Sequence, residues 1–175
     1  MNGKIILNLA MSIDGYIADE EGGYNWIIGN NNSLLDTENK WSHDEFLKDI
    51  DIVVMGKRCY EQNMHKEYKN KKVYVATSED KEDFDNIHFI NNEICNVILD
   101  LKNKGQNIYL FGGGVLIDEF IKENIIDEYI FGIIPTVLGK GRPLFLGNNT
   151  KIDLHLDYYS IEDGIIILKY LKINK

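Results

Sequence analysis

Three consecutive glycines, Gly112, Gly113 and Gly114, stand between an apolar run (107–111) and a segment with helical periodicity (115–124). Glycine loses more backbone entropy on folding than any other residue, so a triplet is costly unless the backbone needs a special conformation or a ligand approaches it closely. The first N–H groups of a helix are unpaired and bind phosphate well. The triplet therefore predicts either a tight strand-to-helix turn or a turn that holds a phosphate, and by itself it does not decide between them.

Two further groups of residues follow predicted strands and could bind an anion. Gly56 ends a buried apolar run, and Lys57 and Arg58 come directly after it at the predicted start of a helix. Cations at a helix N-terminus oppose the helix dipole, so this pair needs either an anion or exposure to solvent. Arginine suits phosphate through its planar fork. Thr77 and Ser78 end the next strand, where they could bond a ribose or a phosphate, or cap the following turn.

The elements that position these residues are predicted from the apolar pattern, which alternates between short strands and helices. A capping box, Ser42 followed by Glu45, marks the start of the first helix. Three strand-like segments end the chain, and the last two flank a turn at 162–164 as a hairpin. The predicted strands are 4–11, 51–56, 71–78, 87–90, 107–114, 125–138, 151–161 and 164–173, and the helices are 42–50, 57–63, 92–105 and 115–124.

This order of elements predicts an α/β fold in a single domain spanning 1–175. Strands that alternate with helices imply right-handed crossovers and parallel neighbours, whereas the hairpin is antiparallel. We expect a mixed, mostly parallel sheet with an antiparallel C-terminal hairpin and helices on both faces. In such a sheet ligands bind outside the carboxyl ends of the parallel strands. All three candidate anion sites would lie at that edge.

Composition narrows the classes of function. The chain has 175 residues, 44% hydrophobic and 27% charged, with a net charge of -9, which is typical of a soluble globular protein and argues against binding to nucleic acid or an anionic membrane. Two cysteines without metal spacing and four scattered histidines predict a reducing compartment, the cytoplasm, and no metal site. No apolar run approaches the length of a membrane helix.

The motifs together resemble a known family. The segments "LNLAMSIDGYIAD", "VVMGKRCYE", "VYVATS" and "LFGGGVLIDEFIKENIIDEYIFGIIPTVLGKGRPLF" occur in an order that spans nearly the whole chain. They resemble the dihydrofolate reductase-like fold family, and more closely the reductase domain of riboflavin biosynthesis (RibD) proteins and their stand-alone relatives. The resemblance implies a three-layer sandwich and an NADPH-dependent oxidoreductase that transfers hydride to a pterin or pyrimidine-type heterocycle, similar to 5-amino-6-(5-phosphoribosylamino)uracil reductase or dihydrofolate reductase. It also implies a homodimer, for which the apolar segment 164–173 could provide the edge.

The resemblance also implies roles for individual residues. The cofactor pyrophosphate would lie on the glycine turn, the adenosine-side phosphates near the two cations, and the nicotinamide along the first strand. The cofactor-binding residues implied in this way are Ala10, Asp14, Gly15, Ile17, Gly56, Lys57, Arg58, Thr77, Ser78, Gly112, Gly113, Gly114, Val115 and Leu116. A partner for the 2′-phosphate among the two cations favours NADPH over NADH.

The substrate side departs from the family pattern. Riboflavin reductases carry a glutamate just before the glycines, where this chain has Phe111, and dihydrofolate reductases carry a carboxylate at the position of Ser42. Asp44 is the acid nearest to that position and is the candidate catalytic residue. Trp26, Phe46 and Phe111 are the candidate substrate-binding residues. A non-catalytic NADP-binding module is the alternative, because no proton donor is evident.

Overall fold

Hydrophobic segments of the sequence form the strands of one large sheet, and the polar segments between them connect its helices. The computed structural model describes residues 2–147 and 149–173. The strands are β1 (Ile5–Ser12), β2 (Tyr16–Ala18), β3 (Ile52–Gly56), β4 (Lys72–Thr77), β5 (Ile87–Asn91), β6 (Ile108–Gly112), β7 (Glu128–Ile134), β8 (Arg142–Pro143), β9 (Leu154–Glu162) and β10 (Ile165–Lys172). The helices are α1 (His43–Lys48), α2 (Lys57–Glu61), α3 (Ile94–Asn103) and α4 (Gly114–Lys122), with a 3₁₀ helix at Met64–Tyr68.

The large sheet has eight strands in the order β5-β4-β3-β6-β1-β7-β10-β9. The six strands from β5 to β7 are mutually parallel, and β10 pairs antiparallel with both β7 and β9. This arrangement confirms the predicted mixed, mostly parallel sheet with an antiparallel C-terminal hairpin. The carboxyl ends of β4, β3, β6 and β1 therefore lie side by side at one edge of the sheet.

Alternate residues of the central strands face opposite sides of the sheet, as the two-residue period of a strand requires. On one side Leu7, Val54 and Leu110 pack beneath α3 and α4, where Phe120 is completely buried. On the other side Ile6, Val53 and Tyr109 pack against α1, α2 and the 3₁₀ helix. The near-continuous apolar runs of the sequence reflect this burial on both faces, and the predicted helices on both faces are confirmed.

Ser42 caps α1, as the sequence predicts. Its hydroxyl oxygen accepts a hydrogen bond from the backbone N–H of Glu45 at 3.2 Å. The Glu45 carboxylate pairs with Lys48 in the last turn of the same helix, so the capping serine works without the reciprocal bond of a capping box.

The free edge on the hairpin side of the sheet is β9. Strand β10 lies between β7 and β9, so the prediction that segment 164–173 provides a dimer edge is wrong. Leu156 and Tyr159 of β9 are exposed, and the homodimer itself stays a prediction. Across residues 2–147 and 149–173, no helix is both long enough and apolar enough to cross a bilayer.

Candidate functional site

A cavity of about 1100 Å³ opens at the carboxyl ends of β1, β3, β4 and β6. It is lined by the three predicted anion sites, which come from separate strands and meet here because those strands are neighbours in the sheet. The predicted residues in its lining are Ala10, Ile17, Gly56, Lys57, Arg58, Thr77, Ser78, Phe111, Gly113, Gly114, Val115 and Leu116. Ligand cavities in proteins typically measure ~300–1,000 Å³, so this one is large enough for an extended ligand or two ligands side by side.

Each position of the glycine triplet is occupied by glycine for a different physical reason. Gly112 adopts φ +121°, a conformation that side chains rarely tolerate, and a Cβ there would lie 3.2 Å from Cδ1 of Ile117. A Cβ on Gly114 would lie 2.9 Å from the carbonyl oxygen of Pro143. Gly113 has φ -83° and ψ -165°, an ordinary extended conformation, and a Cβ on it would meet nothing within 4 Å. Two glycines are thus needed by the fold, and the third only leaves space beside the cavity.

Helix α4 begins at this turn with its N-terminus open. The Gly113 carbonyl accepts the first helical hydrogen bond from Ile117 at 3.0 Å, and no side chain caps the helix start. The N–H groups of Gly114, Val115 and Leu116 therefore have no partner within the helix. All three residues line the cavity, so the positive end of the helix dipole faces it.

Lys57 and Arg58, at the start of α2, differ in their partners. The Lys57 ammonium contacts the Glu79 carboxylate directly, and a carboxylate oxygen of Glu61 lies 3.6 Å away. Arg58 is exposed and makes no ion pair or side-chain hydrogen bond with the rest of the described chain. Of the two predicted cations, Lys57 has its anion in the protein and Arg58 is available to a ligand.

Arg142 is a third cation of the cavity, and it was not predicted from the sequence. Its guanidinium donates to the carbonyl oxygen of Glu21 at 3.1 Å and lies so close to Gly22 that a Cβ there would be 2.6 Å from Nη1. Strand β8 brings Arg142 to the cavity by pairing with β2. The Gly15 carbonyl supports this placement by accepting the N–H of Leu144 at 2.9 Å.

Asp14 and Gly15 act behind the cavity, since neither belongs to its lining. The Asp14 carboxylate accepts hydrogen bonds from the Ser12 hydroxyl at 2.6 Å and from the backbone N–H groups of Gly139 and Leu138 at 2.7 and 3.1 Å. The bond from Ser12, followed by those from the backbone, holds the pKa of Asp14 below its usual value. This turn therefore fixes the segment that carries Arg142.

The cavity is also lined by Asn8, Glu67, Tyr109 and Phe111. Asn8 is only 8% exposed, and its Nδ2 atom has no hydrogen-bond partner among the described residues. A buried amide without a partner costs free energy, so this side chain is suited to a ligand that supplies the missing acceptor. Asn8 was not predicted, because a single polar residue inside a strand gives no signal of its own.

Tyr109 and Phe111 form an aromatic wall of the cavity. The Tyr109 ring contacts those of Phe111 and Phe46, with centroids 5.7 and 5.1 Å apart. Phe46 thus lies behind Tyr109 and outside the lining. Trp26 also lies outside, with its Nε1 donating to the Gly23 carbonyl at 3.3 Å.

Asp44 is exposed in the first turn of α1 and does not line the cavity. Glu67, in the 3₁₀ helix, does line the cavity, as do Glu93 and Glu119. The catalytic role of Asp44 stays a prediction.

Two buried tyrosines, Tyr109 of this wall and Tyr68 packed against it, give the protein an alkaline instability. The hydroxyl groups of Tyr68 and Tyr109 hydrogen-bond to each other, and burial raises the pKa of Tyr68 to about 12 and that of Tyr109 well above its usual range. Tyrosines of the unfolded chain ionise near pH ~10. Between pH ~10 and ~12 the unfolded state has therefore lost protons that the folded state keeps, and stability falls as the pH rises.

We expect Tyr68→Phe to lower the free energy of unfolding by about 1 kcal/mol near neutral pH, because the hydrogen bond to Tyr109 is lost. As the pH rises above ~10, the free energy of unfolding of the variant should fall by roughly 2–3 kcal/mol less than that of the wild type, since one buried phenol no longer resists ionisation. Urea unfolding from pH 8 to pH 12 measures both effects. Tyr159→Phe, which changes an exposed tyrosine, is the control, and equal alkaline slopes for wild type and Tyr68→Phe would contradict this interpretation.

The sheet order, the glycine turn and the cavity at the carboxyl edge define a reductase-type fold. Residues 3–165 match the family model of the RibD C-terminal domain. The match covers most of the sequence, and the chain therefore belongs to the RibD C-terminal domain family. The resemblance seen in the sequence motifs is thereby confirmed.

Similar proteins agree with this family. The protein YwjB of Bacillus subtilis (strain 168) is 36% identical over 162 residues, covering 88% of this chain and 90% of YwjB. A solved structure from Shewanella sp. PV-4, named for riboflavin biosynthesis, has a TM-score of 0.82 at 25% identity and covers 99% of this chain and 100% of its own. Dihydrofolate reductase from Enterococcus faecalis, complexed with NADP(H), has a TM-score of 0.68 at 15% identity and covers 99% of each chain, which shows the shared fold alone.

Proposed function

We propose that this protein is an NADPH-dependent reductase that transfers hydride to a pterin or pyrimidine-type heterocycle. One observation carries the proposal: a single cavity is lined both by an open glycine turn with an arginine that has no ion pair in the described chain, and by aromatic side chains with a buried amide that lacks a partner there. The first group of residues suits a dinucleotide, and the second suits a flat heterocycle.

The residues present fit the cofactor. Open space beside Gly113 lets a pyrophosphate reach the backbone, and the unpaired N–H groups at the start of α4 would bond its oxygens. Arg58, Thr77 and Ser78 would hold the adenosine end. The family membership and the NADP(H) complex of the similar Enterococcus faecalis enzyme support the same cofactor.

The cofactor, when bound, supplies a hydride, and the chain supplies orientation around it. Ala10 and Ile17 would flank the nicotinamide. Phe111 and Tyr109 would stack against the heterocycle, while the Asn8 amide donates to a ring carbonyl or ring nitrogen. Holding the reacting carbon in line with the hydride contributes a large share of the rate, so such a site works with few polar groups.

Thermal unfolding tests the cofactor. A ligand at ~100 times its Kd stabilises the folded state by about 2.7 kcal/mol, which corresponds to a Tm increase of roughly 5–10 °C for a chain of this size. We expect NADPH to raise Tm by this amount and NADH to raise it less. Arg58→Ala should narrow the difference between the Tm increases that NADPH and NADH produce, because it removes the unpaired cation that would hold the adenosine part of the cofactor.

Lys104→Ala is the matched control for this experiment. It also removes an exposed cation, but at the C-terminal end of α3, outside the cavity lining. The absence of a Tm shift with either cofactor would refute the proposed function. NADPH oxidation should then be followed with pterins, folates and the riboflavin pyrimidine, and binding without turnover of any of them would identify a non-catalytic NADP-binding module.

A further inference from the structure

The part of the cavity lined by Lys57, Thr77 and Ser78 contains an ion pair. A phosphate other than the pyrophosphate at the glycine turn would be expected to bind there. Lys57 lines the cavity together with Thr77 and Ser78, but its ammonium is contacted by the Glu79 carboxylate. Glu79 itself lies outside the cavity lining. The positive charge of Lys57, next to the end of β4, is therefore largely neutralised by a carboxylate that lies outside the cavity lining.

Besides its contact with Lys57, Glu79 makes two contacts that hold it in this position. Its backbone N–H donates to Oγ1 of Thr77 at 3.1 Å, and its second carboxylate oxygen pairs with Lys81 at 3.1 Å. The Lys81 ammonium also lies 5.6 Å from the centroid of the Phe89 ring. The hydrogen bond from Lys57, followed by that from Lys81, lowers the pKa of Glu79, so the carboxylate is charged throughout the neutral range.

We propose that Glu79 is a positioning residue that sets the selectivity of this cavity between NADPH and NADH. The inference rests on the proposed function. The two cofactors differ only by the phosphate on the adenosine ribose, and that phosphate needs a cation. Glu79 competes with it for Lys57, so binding of NADPH gains from Arg58 but little from Lys57. NADH lacks the phosphate and is unaffected by the competition.

The same geometry predicts the sign of the effect. A carboxylate beside Lys57 repels the phosphate of NADPH. NADH carries an uncharged hydroxyl group at that position, so the carboxylate does not repel it. Replacing Glu79 with glutamine removes the repulsion and leaves the Lys57 ammonium near the more distant Glu61 carboxylate, 3.6 Å away. Both changes favour NADPH. A purely structural role of Glu79 would alter the binding of both cofactors equally.

Isothermal titration of the full chain with NADPH and with NADH tests this inference. Glu79→Gln should raise the affinity for NADPH about fivefold to tenfold and change the affinity for NADH less than about twofold. Glu82→Gln is the matched control, because it removes the same charge from the same loop at an exposed residue that makes no ion pair in the described part of the chain. Lys57→Gln should abolish most of the gain when it is combined with Glu79→Gln.

The possible outcomes separate the two proposals. If both cofactors bind and Glu79→Gln leaves their affinity ratio unchanged, or if Glu82→Gln raises it equally, the role of Glu79 is refuted and the proposed function stands. If the wild type binds neither cofactor, the proposed function fails and the role of Glu79 fails with it. A gain in NADPH affinity that disappears without Lys57 supports both.

Discussion

Phe120→Ala is expected to lower the free energy of unfolding by about 3–5 kcal/mol. Phe120 is completely buried on the inner face of α4, where it packs with Ile117, Ile121 and the central strands. Removing its ring leaves a cavity that the surrounding aliphatic side chains fill only in part. Because domains of this kind are stable by ~5–15 kcal/mol in total, the loss is a large fraction of the whole.

Chemical denaturation measures this loss, and Phe84→Ala provides the matched control. Phe84 is 71% exposed, so the same truncation there should cost less than about 0.5 kcal/mol. Phe120 lies near the other end of α4 from the glycine turn, so the folded fraction of Phe120→Ala should bind cofactor within a few-fold of the wild type. A loss below about 1 kcal/mol would show that the core under α4 is not packed as described.

Much of the fold could be predicted from the sequence, because the apolar periods of strands and helices are local properties. The strand and helix at the glycine turn, the cap at Ser42 and the C-terminal hairpin all have signals within a few residues. Strand order has no such signal. The position of β10 between β7 and β9 depends on pairing between distant residues, which is why segment 164–173 was mistaken for an edge. Strands β2 and β8 have only 3 and 2 residues, too few for a period to appear.

The same distinction between local signals and contacts of distant residues applies to the candidate site. Gly56, Thr77 and Gly113 could be placed together because each follows a parallel strand, and parallel strands end at one edge. Arg142 could not be placed, since it reaches the cavity through the pairing of β8 with β2. The sequence also showed that Lys57 needed an anion or solvent, but it did not show that Glu79 is that anion. Such partners are fixed by tertiary contacts.

The glycine triplet can be separated experimentally into its structural and ligand-binding parts. Gly113→Ala is expected to leave stability unchanged or to increase it by up to about 1 kcal/mol, because φ -83° and ψ -165° are open to residues with a Cβ and the unfolded chain loses freedom. The same substitution should weaken cofactor binding at least about tenfold, because the methyl group extends into space that no described residue fills and through which a pyrophosphate would approach the backbone.

Gly112→Ala and Gly114→Ala provide the contrast, because each places a methyl group where the protein itself resists it. The first must adopt φ +121°, and the second puts Cβ 2.9 Å from the Pro143 carbonyl oxygen, so both should lower Tm. Thermal unfolding with and without NADPH measures all three variants. If Gly113→Ala binds cofactor as well as the wild type, the turn does not hold the pyrophosphate, and all three glycines would have to be explained by the fold. Weaker binding by a variant that is as stable as the wild type would assign Gly113 to the ligand, since a structural requirement cannot produce that combination.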